Sequence, residues 1–108
     1  MKTQIRASLE ENMIAVVEII RAVDGRGEEL KKALQNIVPT CRKEQGCLQY
    51  ELFEPNQGSS EFLVFMKWKC QEDLDRHEKS KPIEDFFKKY EGTVYSEVFH
   101  YTQWKQVF

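Results

Sequence analysis

The chain has 108 residues, of which 41% are hydrophobic and 31% charged, and its formal net charge is −2. Such a composition fits one globular domain with a single core. It argues against nucleic-acid or membrane-surface partners, which are met by a basic face, and no apolar run approaches the roughly 20 residues that span a bilayer.

Residues 1–12 (MKTQIRASLEEN) are polar and weakly patterned. They lack the apolar core of a secretion signal and are expected to form an N-terminal arm, packed on the domain or on a partner subunit. Residues 13–108 are expected to form the single domain. Cys41, Cys47 and Cys70 make no C-x-x-C pair. They read as reduced thiols, which points to the cytoplasm.

Residues 13–22 (MIAVVEIIRA) are rich in Val and Ile and predict a strand covered on both faces. Glu18 interrupts the run, and a carboxylate there needs a partner or water. Asp24-Gly25-Arg26-Gly27 is a turn. A helix follows, with Glu28 and Glu29 at its positive end and Arg42 and Lys43 at its negative end. Leu30, Leu34, Ile37 and Cys41 recur on one face. Pro39 removes the hydrogen bond to the Gln35 carbonyl, so a kink or break is expected near Val38. Gly46 suits a left-handed position beyond the helix end.

Residues 47–54 (CLQYELFE) alternate, with Leu48, Tyr50 and Leu52 on one side, and predict a second strand. Residues 55–60 (PNQGSS) form a hairpin loop. Residues 61–68 return as a strand apolar on both faces, with Phe62, Val64, Met66 and Trp68 sharing one of them. Residues 71–79 form a short charged helix that brings Leu74 and His77 onto one face. Ser80 and Pro82 open another helix, whose buried stripe is Ile83, Phe86, Phe87 and Tyr90. Residues 94–108 predict a long last strand. Val94, Val98, His100 and Trp104 share one parity, and Tyr95, Phe99 and Tyr101 the other.

The order strand, helix, strand, strand, helix, strand is the ferredoxin-like βαββαβ plan of an α+β domain. The helices can cover one sheet face. The other would expose a large apolar patch, so a second copy packed sheet to sheet is expected, with the long last strand reaching across. No phosphate-cradling glycine loop, zinc spacing or nucleophile elbow is present, so no metal is expected. His77 is the sharpest candidate for chemistry, because an imidazole can take a proton near neutral pH.

Taken together, Glu44-Gln45-Gly46-Cys47-Leu48-x-Tyr50-x-Leu52, Phe62-Leu63-Val64-Phe65-x-x-Trp68 and Leu74-x-x-His77-x-x-Ser80 resemble the antibiotic biosynthesis monooxygenase family, and within it the small quinol-monooxygenase-like members. The resemblance spans about residues 13–107. It implies a homodimer of ferredoxin-like protomers forming a dimeric α+β barrel, with an apolar pocket between sheet and helices. It also implies oxidation of a small reduced aromatic, a quinol or anthrone, by molecular oxygen without any cofactor. His77 would be the catalytic base or proton shuttle, and Trp68, Tyr50, Met66 and Phe86 would bind substrate. Members commonly carry a glutamate two residues before the tryptophan, where this chain has Met66, and often a serine-proline-histidine run, where it has Ser80-Lys81-Pro82-Ile83. Those departures keep two alternatives open: a non-catalytic dimeric binding module, and an acid–base isomerase on the same fold. Haem is disfavoured, because no asparagine follows Met13 on the first strand.

Overall fold

The computed structural model describes residues 13–58, 60–104 and 107–108, with the side chains of 102 and 103 left undescribed. The arm expected over residues 1–12 lies outside the described residues. Four strands, β1 (Ile14–Ala22), β2 (Cys47–Phe53), β3 (Glu61–Trp68) and β4 (Tyr95–Trp104), form one antiparallel sheet in the order β2-β3-β1-β4. Three helices complete the fold: α1 (Gly27–Arg42), α2 (Gln71–Glu78) and α3 (Lys81–Tyr90). This is the ferredoxin-like α+β plan.

The sheet sorts its side chains by the two-residue period of extended backbone. Along β3, Phe62, Val64, Met66 and Trp68 are buried, while Leu63, Phe65 and Lys67 between them are half-buried. In β1, Val16, Glu18, Ile20 and Ala22 join the buried set. The inner face meets Leu30, Leu34, Val38 and Cys41 of α1, Leu74 of α2, and Ile83 and Phe86 of α3 in one core. β1 lies at the sheet centre, where Glu18 sits between Val64 of β3 and His100 of β4.

Several local expectations change for identifiable reasons. α1 runs unbroken through Pro39. Gln35 and Pro39 both lie on the exposed side of the helix, so the carbonyl deprived of its donor is hydrated. Leu48 is exposed, not buried with Tyr50, because Cys47 pairs with Trp68 and Gln49 with Lys67, leaving Leu48 as the extra residue of a bulge. Ser96 is likewise extra, since Ala22 pairs with Tyr95 and Arg21 with Glu97, and this turns Tyr95 inward. A further irregularity pairs Val17 with Tyr101 and Ala15 with Trp104, so Trp104 shares the outer face with Tyr101 and not the inner one with His100. Ser80 does not cap the helix it precedes. Its hydroxyl donates to the His77 carbonyl at 2.7 Å and closes the helix it follows.

Gly46 is the joint between the α1–β2 turn and α2. Its φ is +81°, a left-handed value, and a side-chain carbon added there would collide with the buried Asp73 carboxylate. The Gly46 carbonyl accepts from Lys69 N–H at 2.9 Å. We predict that Gly46→Ala costs about 2–4 kcal/mol in urea denaturation, from left-handed strain plus overpacking. Gly58→Ala, which has the same φ sign but open space around it, should cost only about 1–2 kcal/mol.

Candidate active site

Between the inner sheet face and helices α2 and α3 lies a cavity of about 440 Å³. The sheet contributes Glu18, Tyr50, Met66, Val98 and His100 to its lining. From α2 come Leu74, His77 and Glu78; from α3 come Ile83, Glu84, Phe87 and Lys88; Glu91 follows them. Its size suits a small organic molecule, and its lining mixes apolar walls with a few convergent polar groups, the usual make-up of a ligand site.

His77 is held more tightly than a surface histidine. It is 3% exposed. Its Nδ1 lies 2.9 Å from Glu44 Oε2. The Trp68 ring stacks on it with centroids 4.6 Å apart and a 33° tilt, and the Tyr50 ring meets it edge-on at 5.8 Å. A carboxylate can only accept, so Nδ1 donates to Glu44, and Nε2 is the nitrogen not engaged by that bond. The imidazole is thus held by Glu44 and Trp68, which lie outside the cavity lining, and by Tyr50, which belongs to it.

Behind the imidazole, Cys41, Glu44 and His77 offer ligand atoms all within 4.8 Å of one another, a set that could hold a metal ion. The same atoms are engaged otherwise. Nδ1 and Oε2 are spent on their mutual hydrogen bond. Burial pushes the Cys41 thiol up to about 12, which opposes the thiolate a metal would need. Burial also raises the Tyr50 hydroxyl well above its ordinary range, keeping it a neutral donor. The cluster therefore fits a hydrogen-bonded support for His77 better than a metal cage.

Glu18 is the second polar focus. It is 8% exposed on the central strand. Its nearest cationic candidate is His100 Nε2, 3.6 Å from Oε2, beyond hydrogen-bond distance. Burial first, then the Glu78 carboxylate, pushes its pKa from 4.5 up to about 7.

Of the residues singled out from sequence, His77, Tyr50 and Met66 meet at the cavity. Trp68 is fully buried and backs His77 without entering the lining. Phe86 is buried against Phe87 and Tyr90, and Phe87 is the α3 ring that lines the cavity. Sequence reasoning did not assign site roles to Glu44, Glu18 or His100. The lone carboxylate in an apolar strand was a readable sign for Glu18. Glu44, 33 residues from the ring it orients, left only its place at the head of the motif that ends at Leu52.

The chain matches the family model described as antibiotic biosynthesis monooxygenase over residues 13–89. It is 29% identical over 77 residues to the Bacillus subtilis (strain 168) protein named "Putative monooxygenase YcnE", covering 71% of this chain and 81% of that one. PA3566 of Pseudomonas aeruginosa superposes with a TM-score of 0.81 at 24% identity, covering 89% of this chain and 96% of the other. Rv0793 of Mycobacterium tuberculosis does so with a TM-score of 0.78 at 20% identity, covering 89% and 97%. At such identities these structures speak for the fold alone. Among the described residues, no helix is long and apolar enough to cross a membrane.

The raised Glu18 pKa has a stability consequence. Below 4.5 the carboxyl is protonated in both the folded and the unfolded chain. Between 4.5 and about 7 the unfolded chain ionises first, so stability falls as pH rises through that window and stays lower above it. Glu18→Gln removes the penalty. It should gain up to about 3 kcal/mol over the parent near pH 8 and nothing near pH 4, read from urea midpoints.

Proposed function

We propose, for a chain that belongs to the antibiotic biosynthesis monooxygenase family, that the cavity binds a small reduced aromatic of the quinol or anthrone kind and that His77 starts its oxidation by molecular oxygen. The observation that carries this reading is the Glu44–His77 pair, which presents Nε2 as a base beside an aromatic-walled cavity. Tyr50, Met66 and Phe87 supply flat and adaptable apolar surface.

The chemistry asks little of the protein. His77 Nε2 removes a proton, and the Glu44 carboxylate stabilises the imidazolium that forms. The substrate anion passes an electron to oxygen, and the two radicals combine to a carbon-bound peroxide. The peroxide takes the proton back from the His77 imidazolium, and loss of water leaves a carbonyl. A substrate CH₂ and O₂ become C=O and H₂O, with all the electrons drawn from the substrate.

The reading extends to a cytoplasmic homodimer. The outer sheet face carries Val17, Ile19, Leu63 and Phe65, with Phe53 and Trp104 still 53% and 56% exposed. Packing this face against a second copy would bury a patch that a monomer rarely displays.

Two measurements test these points. Oxygen uptake by metal-free protein over a panel of quinols and anthrones should exceed autoxidation, and His77→Ala should lower it by about 10²-fold or more. An unchanged rate in His77→Ala removes it as the base. Binding without uptake assigns the cavity to a binding module, and turnover that persists without oxygen assigns it to an isomerase. Light scattering at micromolar concentration should give twice the chain mass, and Phe65→Glu should shift it towards one. A monomeric parent overturns the sheet-to-sheet dimer.

A further inference from the structure

We infer that the cavity takes a positively charged substrate, an aromatic bearing a protonated amine, and that Glu18 is its counter-ion. The inference rests on the reading of this cavity as the substrate site and adds the charge that the site selects.

The lining holds four carboxylates, Glu18, Glu78, Glu84 and Glu91, against one lysine, Lys88. Among the described residues, Glu78, Glu84 and Glu91 form no ion pair. These three are exposed and sit at the rim, whereas Glu18 lies buried on the floor at the sheet centre. Where Glu18 is ionised, negative charge runs from the rim to the floor, and such a cleft concentrates cations and repels anions. A carboxylate or phosphate ester would bring further negative charge into it.

Glu18 also lacks what a buried carboxylate requires. Among the described residues it has no hydrogen bond, and His100 Nε2, 3.6 Å away, pairs with it only when that ring is protonated. An ammonium carries three donors. One can reach Glu18 while the attached ring rests on Tyr50, Met66 and Phe87, all of which share the cavity. Charge-assisted pairing inside such a site is stronger than the neutral equivalent. The same arrangement suits the proposed chemistry, because proton loss to His77 then leaves a zwitterion in place of a bare anion.

The test is equilibrium binding by isothermal titration calorimetry at about pH 8, where Glu18 is mostly ionised. The probes are three naphthalenes of matched size: naphthylmethylammonium, naphthylmethanol and naphthoate. The ammonium should bind about tenfold tighter than the alcohol, and the carboxylate weakest. Glu18→Gln should bring the ammonium down to the affinity of the alcohol and leave the alcohol within about twofold. Should Glu18→Gln not fold, the double substitution Glu78→Gln, Glu84→Gln at the exposed rim reads the same field, and should cost the ammonium about threefold and the alcohol nothing. Naphthoate binding as well as the ammonium, or an ammonium preference that survives loss of these carboxylates, overturns the inference while leaving the cavity a substrate site. Failure of all three probes to bind removes the site itself, and the inference with it.

Discussion

The contact between Glu44 and His77 is what the candidate site depends on. It joins the turn after the first helix to the face of the second, and it determines which imidazole nitrogen is free. Neither residue could be placed so by its own element. Glu44 reaches His77 because the backbone at Gly46 approaches α2 more closely than any side chain would permit. His77 stays put because Trp68 lies against its ring and Ser80 ties its carbonyl. One glycine, one stacked indole and one hydroxyl thus convert a helix histidine into an oriented base, and none of the three lines the cavity.

The sheet contributes a different kind of tension. A carboxylate at the middle of the central strand is held where water is scarce and a second carboxylate is near. Selection for stability alone would place an apolar residue there, as it does at Val16 and Ile20 on the same face of the strand. That the fold carries Glu18 at this point sets an ionisable group against its own packing. Its surroundings, not its distance from solvent alone, determine whether it holds a proton near neutral pH.

Much of the architecture was legible because periodicity reports burial directly. The alternation in β3 and the spacing of Leu30, Leu34 and Cys41 name their own buried sides. The errors of facing within the sheet fell where one extra residue breaks that period. Leu48, Tyr95 and Trp104 were each assigned by parity, and each lies next to a register shift that parity cannot see. The site was legible in part for the same reason. His77, Tyr50 and Met66 lie on readable faces of regular elements. Glu44 sits on an irregular turn, and its partner is 33 residues away, so only the folded chain brings them together.

The bulges at Leu48 and Ser96 also bear on how such a chain can change length. Each absorbs one surplus residue without turning over the strand beyond it, so Glu97 still pairs with Arg21 and His100 still stands beside Glu18. Losing the surplus residue at either place restores regular pairing and leaves the inward-facing groups where they were. A single insertion within the regular stretch between Glu97 and Tyr101 would rotate the remainder of β4 by half a turn and send the imidazole outward. Lineages descending from this chain can therefore lose a residue at Leu48 or Ser96 with little effect, whereas an insertion in the regular stretch before His100 rewrites the lining of the cavity.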